Sequence, residues 1–451
     1  MNLPNYFLAD LPPEATLSPA MLAEACRALK RNREQYLAGR STNQLVKLLC
    51  GVAEGWLHPE NPFRRLALAE GPAKTGFQRA TLERGLDNFL KQFTTENFRA
   101  LLVQDLGAPV SLDEFCVKEE KSSMTMAVAP EFLVHITAGI IPNPTLMSMV
   151  LGLLTRSAQF VKCARGSSFL PRLFAHSIYD ADRKLGACLE VAEWRGGNAA
   201  LEEVLFAQAD CVTATGGDET LAAIRANLPV STRFVGYGHR VSFGFVAAES
   251  LSGHAANQIV AQAAEDVVAW NQLGCLSPHV IYVQEGGEVM PARFAELLAV
   301  ELEQREAGEP RGELPLETAA AIASRRAVYE VRAAHSADTS LWQSRNSTAW
   351  TVVFEADARF QVSCLNRFVY VKPARDLSEA LRHADAIRGK VSTIGLAAPA
   401  ARAKELAAQL AHWGVTRVCP LGQMQNPPFT WRHDGRPALG DLVTWVDFES
   451  E

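Results

Sequence analysis

Nine cysteines are scattered along the chain, an odd number without any Cys-x-x-Cys pair that could begin a zinc site, so no metal centre is expected. Cys275 is the one whose surroundings suggest chemistry. Gly274 ends a long helical run just before it, Ser277-Pro278 makes a turn just after it, and the apolar run Val280–Val283 follows. A thiol at such a junction can face a cleft, and it becomes a nucleophile where its surroundings favour the thiolate. The plain alternative is one more small buried cysteine. Lys162 closes the apolar run Gln159–Val161, at what would be the C-terminal edge of a parallel strand, where nucleotides bind in open α/β sheets; a solvated strand-end lysine is the alternative. Gly216 and Gly217 stand between the run Cys211–Ala214 and the helical run Glu219–Ala226, so their N–H groups can approach a pyrophosphate. Asp218 as an ordinary N-cap would explain the same residues. A full Gly-x-Gly-x-x-Gly is missing, since Gly236-Tyr237-Gly238 lacks the third glycine.

The flanks of Cys275 carry more. Gln272-Leu-Gly-Cys275-Leu-Ser-Pro278 resembles the Gln-x-x-Cys-x-Ser-Pro signature of the LuxC-type acyl-CoA reductases (fatty acid reductases), a branch of the aldehyde dehydrogenase superfamily. The segment His135-Ile-Thr-Ala-Gly-Ile-Ile-Pro142 is similar to that family's His-x-x-x-Gly-Asn-Val-Pro, and Gly152-Leu-Leu through Lys162 to its Gly-Leu-Leu and lysine-ending strand. Thr215-Gly-Gly217, Gly236-Tyr-Gly-His-Arg240, Asn366-Arg-Phe-Val369 and the closing His433-Asp-Gly435 with Trp445-Val446 continue the likeness in order.

The resemblance implies a fold, a reaction and site residues. The fold is α/β and aldehyde dehydrogenase-like, with a Rossmann-type nucleotide-binding lobe and an α/β catalytic lobe. In the reaction Cys275 takes the acyl group as a thioester, a nicotinamide supplies hydride, and an aldehyde leaves. Lys162 matches the lysine that contacts the adenosine ribose, and Gly216 and Gly217 belong to the same nucleotide site. Arg165 stands where NAD-preferring relatives carry an acid, so a 2′-phosphate and hence NADPH is expected. Oxidative relatives use a glutamate one helix and one strand before the cysteine to activate water; the stretch His239–Phe245 holds no carboxylate, which favours acyl exchange with a thiol carrier. The expected partner is acyl-CoA or an acyl-carrying enzyme, such as an acyl-protein synthetase or acyltransferase, and the chain is expected to form a homo-oligomer.

One position departs from the pattern. The family's oxyanion-binding asparagine is replaced by Ile140, leaving Asn143, Thr137 or Ser277 as nearby polar candidates. This keeps two alternatives open: a silent relative that binds acyl groups or serves assembly, and a thiol-dependent aldehyde dehydrogenase running oxidatively. His135 and His239 flank apolar runs and read as hydrogen-bonded structural residues.

These residues need elements to hold them. Leu22, Cys26 and Leu29, then Leu45 to Leu49, then Leu82 to Phe93 recur at helical spacing, giving a helical N-terminal segment up to about Leu106. Beyond Met124, β-rich runs at Glu131–Thr137, Gln159–Ala164, Ala187–Glu193, Cys211–Ala214 and Val230–Tyr237 alternate with helical segments, the pattern of parallel βαβ units. A helix over His254–Trp270, a strand at Val280–Val283, a helix over Ala292–Arg305 and strands at Ala349–Glu355, Arg367–Val371 and Val391–Leu396 follow. The expected division is a nucleotide-binding lobe over 1–241, a catalytic lobe over 242–422 and a terminal segment over 423–451 that packs back or oligomerises. At 451 residues two lobes are natural, and 48% hydrophobic with 21% charged residues excludes disordered and fibrous classes. A net charge of −6 without basic blocks excludes a nucleic-acid footprint. The apolar stretch from 138 to 154 is broken by Pro142, Pro144 and Gly152 and falls short of a membrane span, so a cytoplasmic protein with reduced thiols is expected.

Overall fold

The computed structural model describes residues 3–12, 14–117, 123–139 and 141–449. The chain forms two compact units, unit 1 from Met1–Thr75, Leu86–Gly238 and Pro428–Glu451, and unit 2 from Gly76–Gly85 and His239–Pro427.

Unit 1 begins with helices whose starts are written locally. Ser18 accepts from the Met21 N–H ahead of Pro19, and Ser41 and Gln44 form a capping box at the head of Thr42–Leu57. The first helix, Pro19–Tyr36, buries Leu22, Cys26 and Leu29, the stripe its spacing predicts. Strands β1 (Cys116–Val117) and β2 (Ser123–Val128) pair antiparallel. Five parallel strands then form the main sheet: β3 (Phe132–Ile136), β4 (Ala158–Cys163), β5 (Leu189–Glu193), β6 (Cys211–Thr215) and β7 (Arg233–Tyr237). Their order β5-β4-β3-β6-β7 starts in the middle and winds outward both ways, as in doubly wound nucleotide-binding folds. Every residue of β3 and β4 is buried, which explains their mostly apolar character, with His135, Gln159 and Lys162 the polar exceptions. All five coincide with the β-rich runs of the sequence.

Unit 2 is a seven-stranded sheet of β8 (Val241–Val246), β9 (Pro278–Gln284), β10 (Thr339–Gln343), β11 (Thr351–Glu355), β12 (Phe368–Ala374), β13 (Val391–Ala397) and β14 (Arg417–Pro420), in the order β10-β11-β12-β9-β8-β13-β14. Only β10 runs antiparallel to its neighbour. Helices Gly253–Val268 and Pro291–Gly308 pack on one face, and Leu316–His335, Leu377–His383 and Ala400–Trp413 on the other. Strands β8, β10 and β14 and the 20-residue helix Leu316–His335 go beyond the sequence reading. That helix buries only Ile322, Arg326 and Tyr329, a stripe too narrow and too polar to stand out. β15 (Thr444–Glu449) returns to unit 1 and pairs antiparallel with β2.

Candidate functional site

Helix Gly253–Val268 is followed by three consecutive left-handed residues, Trp270 (φ 51°), Asn271 (φ 52°) and Gln272 (φ 63°). Such backbone costs about 1–3 kcal/mol per residue and persists only where the surroundings over-determine it. Here they do. The Asn271 Oδ1 accepts from Arg367 Nε and Nη2 at 3.2 and 2.9 Å, and Gln272 Nε2 donates to the carbonyls of Pro278 and Phe368 at 2.7 and 2.8 Å. Trp270 fills the space left by Gly85, where a Cβ would lie 2.0 Å from the indole.

Cys275 follows, itself exposed, on the turn ahead of β9. The turn's backbone is fixed. Ser242 Oγ donates to the Cys275 carbonyl at 2.7 Å while accepting from Thr393 N, and the Ser277 N–H donates to the Gly274 carbonyl at 2.9 Å. Among the described residues Cys275 is the one exposed cysteine. Burial pushes the Cys26 thiol up to about 11 and those of Cys163, Cys188, Cys211 and Cys419 up to about 12, so these remain inert thiols.

The loop Leu421–Gln425 completes this region, and sequence reasoning missed it. Asp266, 1% exposed on helix Gly253–Val268, accepts from the N–H groups of Gly422 and Met424 at 2.6 and 2.8 Å. Burial raises its pKa to about 7. From the other side Arg417 donates to the carbonyls of Met424 and Gln423 at 2.6 and 2.8 Å. The loop so held lays the Gln425 amide against Gly274, where a Cβ would lie 2.6 Å from Nε2, and Nε2 donates to Ser277 Oγ. His279 is buried with Nδ1 against Ser363, and burial lowers its pKa to about 4, so it is neutral and structural.

In unit 1 the sequence-predicted nucleotide residues lie at the C-terminal edge of the parallel sheet. Lys162, near the end of β4, is aligned with Ile136 of β3 and Ala192 of β5, and its ammonium lies 5.5 Å from the Trp194 ring centroid. Burial lowers its pKa, with Glu202 and Glu193 opposing. Arg165 is exposed in the turn after β4. Glu193, at the end of β5, pins that turn by accepting from Gly166 N (2.6 Å), Ser168 N (3.2 Å) and Ser168 Oγ (2.6 Å). Gly216 and Gly217 join β6 to helix Asp218–Ala226. The N-cap is Gly217, which corrects the alternative of an Asp218 cap; Asp218 is already the first helical residue. A Cβ at Gly217 would meet nothing within 4 Å, so the backbone at this helix start is open to a ligand.

Two further motifs meet in unit 1. Tyr237 stacks on His433 with centroids 4.3 Å apart, Arg436 lies 4.7 Å over the Tyr237 ring, and Arg436 Nη2 donates to the Gly236 carbonyl. His135 is a structural residue, with Nδ1 against Thr213 Oγ1 at 2.7 Å, Nε2 against Gln159 Oε1 at 2.9 Å, and its pKa lowered by burial to about 4. A small pocket past the ends of β3 and β4 is lined by Gly139, Pro142, Thr145, Gly166 and Phe169. Ile140 lies outside the described residues. Among the described residues no group of three or more His, Cys, Asp or Glu is placed to hold a metal ion, and no helix is long and apolar enough to cross a membrane.

Comparison with known proteins agrees with this architecture. The long-chain acyl-protein thioester reductase of Aliivibrio fischeri is 24% identical over 417 residues, 90% of this chain and 82% of that protein. Among solved structures, bifunctional proline utilization A superposes with a TM-score of 0.73 at 14% identity; 98% of this chain is covered, and the chain spans 45% of that protein's length. The Δ-pyrroline-5-carboxylate dehydrogenase of Mycobacterium tuberculosis gives a TM-score of 0.70 at 13% identity, covering 96% of this chain and 83% of that one. The fold is that of the aldehyde dehydrogenases. The family model for acyl-CoA reductase (LuxC) matches residues 37–445, and the chain belongs to that family of enzymes.

Proposed function

We propose that the chain reduces an acyl thioester, carried by CoA or by a partner enzyme such as an acyl-protein synthetase or acyltransferase, to the free aldehyde. Cys275 is the acyl carrier. Its thiolate attacks the thioester carbonyl, the carrier thiolate leaves, and the acyl group rests on Sγ. A bound nicotinamide dinucleotide, NADPH in this reading, supplies hydride to that carbonyl, after which the hemithioacetal collapses to aldehyde and Cys275 thiolate. Nucleotide binding falls to unit 1. Lys162 holds the ribose, Arg165 meets a 2′-phosphate, and the N–H groups at Gly216 and Gly217 face the pyrophosphate. Acyl chemistry falls to unit 2, where the absence of a carboxylate from 239–245 leaves water without a base and reserves the thioester for hydride or a thiol. The working form in this reading is a cytoplasmic homo-oligomer.

The observation that carries the reading is the contrast among the cysteines: Cys275 is presented on a turn whose backbone is bonded from several sides, while the five thiols pushed to about 11–12 are withdrawn from reactivity by burial. Intact mass after incubation with a fatty acyl-CoA tests it. The wild-type chain should gain one acyl mass and Cys275→Ser none; an adduct of equal yield on Cys275→Ser, or aldehyde formation at the wild-type rate, would overturn the assignment.

A further inference from the structure

Acyl transfer to Cys275 places a negative charge on the former carbonyl oxygen, and a preorganised N–H at that point contributes heavily to rate. The position expected to supply a side-chain amide holds Ile140, whose side chain has no N–H to give. Of the other polar candidates, Ser277 is fully buried, with the Gln425 amide bonded to its Oγ. Thr137 directs its hydroxyl to the Lys162 carbonyl. The donor of that bond to Ser277 is the better candidate.

We infer that Gln425 is the oxyanion donor of Cys275 chemistry, a catalytic residue 150 positions beyond the nucleophile in the sequence, whose side-chain amide takes the part of the missing asparagine. Three observations support it. The amide points its nitrogen and oxygen edge at Gly274, the residue before Cys275, so closely that a side chain at 274 would have to displace it. One Nε2 hydrogen is committed to Ser277 Oγ, which fixes the plane of the amide, and the second remains for an acceptor. The two residues so contacted, Gly274 and Ser277, bracket Cys275 in the chain, and Cys275 is itself exposed while Gln425 is half-buried. The loop that carries Gln425 is anchored by Asp266 and Arg417 on both sides, which gives the rigidity such a donor needs.

In the step itself, the Cys275 thiolate forms the S–C bond, the carbonyl π pair moves onto oxygen, and that oxyanion accepts from Gln425 Nε2. The pair then returns to re-form the carbonyl as the carrier's C–S bond breaks and its thiolate departs. The same donor serves the hemithioacetal oxyanion formed on reduction.

The inference rests on the proposed function, and the test separates the two. Two reactions of Cys275 are compared on the full chain: thioester formation from a fatty acyl-CoA, and alkylation by iodoacetamide, which forms no oxyanion. Both are followed by intact mass with Cys275→Ser as blank. Gln425→Met keeps the shape and removes the N–H; it should slow thioester formation by roughly 10²–10³-fold and leave alkylation at the wild-type rate. Gln425→Leu, which also removes the N–H and adds no charge near the thiolate, should do the same and serves if the Met variant fails to fold. Unchanged thioester formation in either folded variant overturns the inference, as does an equal slowing of both reactions, since that marks a residue that only shapes the turn. A wild-type chain that alkylates but never acylates overturns the proposed function itself, and this inference with it.

Discussion

The guanidinium of Arg367 closes on the side-chain oxygen of Asn271, with Nη2 at 2.9 Å and Nε at 3.2 Å, and so ties two separate runs of three left-handed residues to each other. Leu365, Asn366 and Arg367 have φ of 60°, 56° and 64°, the counterpart of 270–272. Arg367 is 1% exposed and also bonds Glu306 Oε2 at 2.8 Å and the Glu309 carbonyl at 2.9 Å. The strained approach to Cys275 is therefore held by a charge that has no water to fall back on.

Arg367→Met should destabilise unit 2 by about 1–3 kcal/mol, because buried Asn271 Oδ1 loses its partner while Glu306, partly exposed, keeps the Arg311 N–H. Arg367→Lys should recover only part of this, since an ammonium cannot span Asn271 and Glu306 as the planar fork does. Urea unfolding measures both; a wild-type midpoint in the Met variant would mean that the two left-handed runs need no tie.

Gly274→Ala puts a methyl 2.6 Å from Gln425 Nε2. The obstacle is the end of a side chain rather than backbone, so the fold should survive at a cost of about 1–3 kcal/mol, while the amide is pushed off its position. Single-turnover acylation should fall even at temperatures where the variant stays folded, and a loss that only follows unfolding would argue against this reading.

Arg165→Glu tests the choice of cofactor. The side chain is exposed in its turn, so stability should change little. Affinity for NADPH should drop far more than affinity for NADH, as a charge-assisted contact becomes a repulsion. Titration of both nucleotides is the check, and equal losses would return Arg165 to the solvated surface.

Glu190 on β5 gives a pH signature. Its carboxyl, half-buried beneath the N-terminal segment, accepts from Leu8 N at 2.7 Å and Val191 N at 3.0 Å, and loss of water around it raises its pKa from 4.5 to about 8, with Asp10 adding to the rise. The folded state thus holds this proton more tightly than the unfolded chain. The stability it contributes is complete below about pH 4.5 and is lost as pH rises through about 8. Glu190→Gln is neutral at every pH and keeps the acceptor oxygen. Its melting temperature should match wild type near pH 5 and exceed it near pH 9, by the equivalent of a few kcal/mol at most. A constant offset at both pH values would show that Glu190 does not titrate in this range.

The central parallel strands of unit 1, β3 and β4, were legible because they are runs of residues buried on both faces, and the Cys275 turn because Gly274 and Ser277-Pro278 punctuate it in the sequence. What lies around the turn was not. Asp266 sits in an ordinary-looking helical stretch and gives no sign of being buried until Gly422 and Met424 are folded onto it. Gln425 gains its place only through Gly274, and Glu193 acquires its task only because β5 lies beside β4 in the sheet. Pattern along the chain reports which residues are withdrawn from water, but pairings between distant polar groups leave no period to read. Asp218 was a different case: the local sequence fits a cap at either 217 or 218, and the backbone chose the glycine.

Unit 1 is written in pieces, with nearly all of unit 2 interposed before its last part. Arg436 meets the Gly236 carbonyl across 200 positions, Leu439 meets Asp105 across 334, and β15 supplies the partner of β2. During synthesis from the N-terminus, the ribosome delivers every residue of unit 2 before the segment that seals unit 1. The second half to be made can therefore be the first to finish folding, while unit 1 waits with the edge of β2 uncovered. A pause late in translation would leave that edge open to a chaperone, or to the same edge of another nascent chain.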